Sequence, residues 1–165
     1  MTNTPWKSPT ARGRLAILRR TRSIAILGMS AESSRPSHFV ATYLLSSSCQ
    51  FDDVWFVNPH GGEILGRPVF TSLHELPATP ELVDVFRRDD DLPDVAEEVA
   101  AIPGIRTLWI QLGLWNDAAA AIAHRAGKDV VMDRCLKIEH ARFAGGLHLA
   151  GFDTGVISSR RRPVL

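Results

Sequence analysis

Arg22-Ser-Ile-Ala-Ile-Leu-Gly-Met-Ser-Ala-Glu-Ser-Ser-Arg-Pro-Ser37 decides how the rest of the chain is read. Ile24-Ala-Ile-Leu27 carries no charge and runs straight into Gly28, which suits a strand covered on both faces, as in a parallel sheet. The turn that follows holds Ser30, Ser33, Ser34 and Arg35, and Pro36 and Ser37 then open a helix. Unpaired amides and the helix dipole favour an anion at such a junction. The stretch predicts a strand, a polar turn and a helix start, with a phosphate-bearing ligand between them.

Outward from this stretch, strand and helix patterns alternate. Ala11 to Arg20 reads as a short basic helix with Leu15 and Leu18 on one side. After Ser37 the spacing of Phe39, Val40, Tyr43, Leu44 and Leu45 marks the buried face of a helix that ends at Ser46-Ser-Ser48. Further strands are predicted at Asp53–Val57, Leu82–Phe86, Thr107–Ile110 and Asp129–Met132. Glu63–Val69 reads as a small irregular extension with a turn at Gly66, and Ser72 as the cap of a helical turn. Helices are expected over Leu92–Ala101, from the cap at Asn116 to Ala126 with Gly127 as the stop, and over Leu136–Phe143. Five alternations predict an α/β fold of the Rossmann-like, doubly wound kind: a mainly parallel five-stranded sheet with helices on both faces. The expected division is a basic N-terminal extension over 1–22, the α/β domain over 23–143, and a glycine-rich, basic tail over 144–165.

Composition narrows the function classes. At 165 residues and 45% apolar content the chain suits one packed domain, and 19 basic against 18 acidic residues leave no general attraction to nucleic acid or membrane. No run approaches the roughly 20 apolar residues that span a bilayer, and no secretory leader is visible, so the cytoplasm is the expected location. Cys49 and Cys135 stand far apart without CxxC spacing, which indicates neither a disulfide framework nor a metal site.

In an open α/β sheet the ligand crevice lies beyond the carboxyl ends of the strands. The strand ends here supply Gly28, Met29 and Ser30 with Arg35, then Asn58 and Pro59, Arg87 and Arg88, Gln111 to Gly113, and Asp133-Arg-Cys135. Amides and guanidinium forks suit phosphate oxygens. Taken singly, each piece has a plain structural explanation, a turn, a solvated charge cluster or a packed thiol; their joint placement favours a nucleotide-like ligand. A nicotinamide dinucleotide is disfavoured. Its ribose calls for an acidic residue near the end of the second strand, where this chain has Val57-Asn-Pro59, and there is no full GxGxxG.

At these residues the chain resembles the small single-domain CoA-binding proteins, related to the N-terminal CoA-binding domain of the succinyl-CoA synthetase alpha subunit. The matching stretches are Ala25-Ile-Leu-Gly-Met-Ser30, Ser34-Arg-Pro-Ser37, Val57-Asn-Pro59, Glu63-Ile-Leu-Gly66, Asp84-Val-Phe-Arg-Arg88, Leu108-Trp-Ile-Gln-Leu-Gly113, and Val130-Val-Met-Asp-Arg-Cys135 with Ile138-Glu-His140. The resemblance implies coenzyme A or an acyl-CoA laid across the carboxyl edge of the sheet. It places Gly28, Ser30, Arg35 and Ser37 at the pyrophosphate, counts Met29 and Pro36 among the cofactor-binding residues, and puts Asn58 and Pro59 on the nucleotide side. Phe86, Arg87 and Arg88 would border the ligand, and Gln111 and Gly113 the pantetheine path. No catalytic residue is carried over, because the phosphorylated histidine of the synthetases lies in a separate ligase domain that a chain of this length cannot contain. A departure from the family pattern is Cys49 with Ser46 to Ser48, where a glycine turn is more usual. The expectation is a binding or regulatory protein without catalytic activity alone. The alternatives are an enzyme of acyl-CoA or CoA-thiol chemistry using Cys135, and a homo-oligomer or a module docking on a ligase-type partner subunit.

Overall fold

The computed structural model describes residues 3–46 and 49–144. The expected tail beyond Ala144, and the serines at 47 and 48, lie outside the described residues. The elements in chain order are α1 (Ala11–Arg20), β1 (Ser23–Leu27), α2 (Pro36–Leu44), β2 (Asp53–Val57), β3 (Glu63–Ile64), β4 (Arg67–Phe70), β5 (Leu82–Val85), α3 (Leu92–Ala101), β6 (Thr107–Ile110), α4 (Asp117–Arg125), β7 (Asp129–Val131) and α5 (Leu136–Ala144). Among the described residues no helix is long and apolar enough to cross a membrane.

The class is the predicted one, but the sheet has seven strands rather than five, in the order β3-β4-β2-β1-β5-β6-β7. Glu63–Phe70, read from sequence as an irregular extension, is a hairpin whose second strand pairs parallel to β2, with Phe56 opposite Val69. Its two-residue turn sets Leu65 and Gly66 at φ 52° and 71°, the left-handed geometry that matches hairpin twist and that asparagine or glycine normally supplies. A leucine in the first turn position hid the hairpin. The six parallel strands run in the order 3-2-1-4-5-6 of the doubly wound fold, which reverses between β1 and β5.

Side chains along the parallel strands alternate between two cores. Ile24, Ile26, Phe56, Leu82, Trp109 and Val131 face the layer of α1, α2 and α5, while Ala25, Leu27, Val83, Val85, Leu108 and Ile110 face α3 and α4. Both faces are covered, so the strands read as apolar runs without alternating polar residues. The basic N-terminal helix buries Leu15, Ile17 and Leu18 and is fixed to α5 by a buried ion pair, Arg14 Nε to Glu139 Oε2 at 2.8 Å. Phe39, expected on the buried face of α2, is instead exposed, and Val40, Ala41 and Leu44 take the core. Asn116 caps α4 as read, its side-chain oxygen accepting from Ala119 N–H at 2.9 Å.

At the reversal point β1 and β5 approach so closely that a Cβ added to Gly28 would lie 2.0 Å from the Phe86 carbonyl oxygen. Gly28 also has φ 88°, which an L side chain adopts only with strain. Gly28→Ala is therefore expected to destabilise the fold by about 3 kcal/mol, the sum of overpacking and left-handed backbone costs. Urea unfolding checks this; a loss below roughly 1 kcal/mol would contradict the close approach.

Candidate functional site

The parallel strands end nearly in register, with Leu27 opposite both Val57 and Val85, and Val85 opposite Ile110. The residues that follow them therefore gather at one edge. Two cavities open there, on either side of the Gly28–Phe86 contact and sharing Gly28, Ser30 and Phe86. One, of about 510 Å³, lies between α2 and α5 and reaches Gln111, Leu114, Cys135 and Ile138. The other, of about 500 Å³, lies toward the β3–β4 hairpin and is bounded by Asn58 to Ile64 and Arg87.

The turn after β1 is held from within. Ser37 is buried, and its Oγ accepts the Ser30 N–H at 3.0 Å. Ser30 Oγ in turn accepts from Glu32 N–H. Arg35, Pro36 and Ser37 line the α2–α5 cavity at the α2 N-terminus, with Arg35 as the cap residue. The Arg35 guanidinium is exposed and its Nε lies 3.1 Å from Glu32 Oε2. Glu32 also lines the cavity and was given no role from sequence; only the folded turn shows its carboxylate competing for Arg35.

Asn58 is occupied structurally. Its Nδ2 donates to the Met29 carbonyl at 2.9 Å, and its Oδ1 accepts from the His60 and Gly61 amides at 2.8 and 3.0 Å. It thus ties the end of β2 to the turn after β1. Pro59 and the buried Met29 join it along the hairpin cavity, whose one lining carboxylate, Glu63, comes from β3. Arg87 borders the same cavity with its Nε buried and, among the described residues, without a hydrogen-bond partner. Arg88 lines neither cavity: its side chain is exposed and paired with Asp91. Gly113 lines neither as well; it turns the loop at φ 87°, donating its N–H to Asp133 Oδ1 at 2.7 Å. Its neighbours Leu112 and Leu114 line the α2–α5 cavity.

Behind that cavity sits a carboxyl group that sequence reading passed over. Asp84 is fully buried on the α1–α2–α5 side of the sheet, in the cross-strand row between Ile26 and Trp109. Gln111 Nε2 donates to Asp84 Oδ1, whereas Oδ2 has no partner among the described residues. Burial pushes the Asp84 carboxyl up to about 8, only partly offset by the Gln111 bond. Cys135, half-buried at the cavity wall, has its thiol pushed up by burial and further by Asp84. A nucleophilic cysteine needs the opposite shift. His140 is held elsewhere, its Nδ1 accepting from Tyr43 O–H at 2.7 Å and its Nε2 facing Gln50 Oε1 at 2.7 Å.

Comparison with known proteins fits this architecture. Residues 22–141 match the family model described as a CoA binding domain. The chain belongs to the CoA-binding domain family. It is 36% identical over 125 residues to the protein YneT of Bacillus subtilis (strain 168), covering 76% of this chain and 90% of that one. A Thermus thermophilus protein of known structure is 34% identical, with a TM-score of 0.72 over 81% of this chain and 98% of the other. An acetyl-coenzyme A synthetase from Ca. Korarchaeum cryptofilum shares the fold at 18% identity and a TM-score of 0.58, over 66% of this chain and 25% of the synthetase.

The buried carboxyl of this CoA-binding domain has a stability signature. Asp84 ionises near its ordinary 3.8 when unfolded and near about 8 when folded, so the folded state holds the extra proton between these values. Its contribution is then present at low pH and is lost as pH rises through that window, by up to about 1.4 kcal/mol per pH unit. Urea midpoints at roughly pH 5 and pH 8 should differ less in Asp84→Asn than in the unsubstituted chain; equal differences would contradict the assignment.

Proposed function

We propose that the chain binds coenzyme A or an acyl-CoA across the carboxyl edge of the sheet, as a binding or regulatory protein without catalysis of its own. The observation that carries this reading is the pair of cavities meeting at Gly28, Ser30 and Phe86. An elongated ligand with a charged middle suits two chambers joined at a helix N-terminus. The pyrophosphate fits over the turn from Gly28 to Ser37, within reach of the α2 amides and of Arg35. The unpartnered Nε of Arg87 offers a further donor to phosphate oxygen. The nucleotide suits the hairpin cavity. The uncharged pantetheine arm suits the α2–α5 cavity, whose inner wall is largely apolar.

The residues present fit this ligand better than a nicotinamide dinucleotide. No carboxylate stands at the end of β2, and the Asn58 side chain there is consumed by its own turn. The raised Cys135 thiol supports binding over acyl transfer through cysteine.

Titration calorimetry with coenzyme A, NAD and ATP tests the reading. Coenzyme A is expected to bind best, and its failure to bind at high micromolar concentration would overturn it. Arg87→Ala should weaken coenzyme A about tenfold, as loss of a charge-assisted hydrogen bond implies. Glu32→Gln should tighten it by about twofold to fivefold, because an exposed carboxylate worth about 0.2–1 kcal/mol no longer competes for Arg35. Unchanged affinity in both variants would remove the phosphate assignment.

A further inference from the structure

The α2–α5 cavity differs in charge from its outer lip to its inner wall. Among the described residues its only charged lining side chains are Glu32 and Arg35, and these are paired with each other at the lip. Away from this pair the lining is Phe86, Leu112, Leu114, Cys135 and Ile138, with Gln111 as a polar group. Gln111 is held in one sense. Its Nε2 is turned inward to Asp84 Oδ1, and among the described residues its carboxamide oxygen has no hydrogen-bond partner. The wall therefore presents this oxygen as an acceptor, with the fully buried Asp84 carboxyl group behind the carboxamide. The nearby ammonium of Lys137 is turned away onto aromatic rings, 6.0 Å from the Phe39 centroid and 5.9 Å from that of Tyr43, and does not line the cavity.

Given coenzyme A seated as read above, we propose that this cavity takes its sulfur end as the free thiol or as the thioester of an uncharged acyl group, and discriminates against acyl groups that end in a carboxylate. An alkyl acyl group would cover Leu112, Leu114 and Ile138; Leu112 and Ile138 are exposed at 60% and 39%. The acceptor oxygen of Gln111 pairs with a thiol S–H or a pantetheine amide N–H. A terminal carboxylate would lose its water against these apolar side chains and face the Gln111 oxygen and the Glu32 carboxylate, while the one lining guanidinium, Arg35, is already paired.

The test is titration of the full chain with coenzyme A, butyryl-CoA and succinyl-CoA at one ionic strength. Butyryl-CoA is expected within about threefold of coenzyme A and succinyl-CoA about tenfold weaker or more, a free-energy gap of about 1.4 kcal/mol. Succinyl-CoA binding within tenfold of butyryl-CoA overturns the acyl preference and leaves the coenzyme A reading standing; a chain that binds none of the three overturns that reading as well. Leu112→Arg, at an exposed position of the lining, should bring succinyl-CoA to within about threefold of butyryl-CoA by supplying the missing cation. A tenfold gap that persists in Leu112→Arg removes the acyl group from this wall.

Discussion

The contact between Gly28 and the Phe86 carbonyl is the constraint on which site and sheet both depend. β1 and β5 are neighbours whose following segments leave the sheet in different directions, one toward α2 and the other toward α3. Where such paths diverge, a crevice opens beyond the strand ends. Its depth depends on how closely the strands meet, and here they meet with no room for a methyl group. The same contact splits the crevice into two chambers. The backbone conformation that permits close packing thus also shapes the proposed ligand path.

Two buried acidic groups show how differently the fold treats charge. Glu139 meets Arg14 at 2.8 Å, which joins α1 to α5 and compensates both ions. Among the described residues Asp84 has a neutral amide against one oxygen and no hydrogen-bond partner for the other. Leaving a buried polar atom without a partner costs about 1–3 kcal/mol, and such local inconsistencies are expected where a site takes precedence over packing. The raised proton affinity of Asp84 follows from that deficit.

Much of the fold is legible in the sequence because strands covered on both faces are simply apolar: Ile24–Leu27 and Thr107–Ile110 need no partner information to be recognised. The hairpin is not legible, since a two-residue β3 has no periodicity and Leu65 stands where turn chemistry favours asparagine. Phe39 misleads for another reason: helical spacing marks two adjacent stripes of α2, and only packing against the sheet and α5 decides which is buried. At the site, strand ends are readable but side-chain directions are not. Arg87 and Arg88 look equivalent in sequence, yet one borders a cavity and the other pairs with Asp91 in solvent. Asp84 passes as one polar residue in a short strand until the cross-strand row places it between Ile26 and Trp109.

The sheet's borders carry a consequence of their own. One margin is the two-residue β3, attached to a β4 that contains Pro68, and the other is the three-residue β7, whose Val130 carbonyl accepts the Trp6 indole N–H. A border so short offers little ladder for a foreign strand to extend. Two copies of this chain meeting in solution would then have to join through helical faces or loops, and a continuous intermolecular sheet is the assembly this architecture resists.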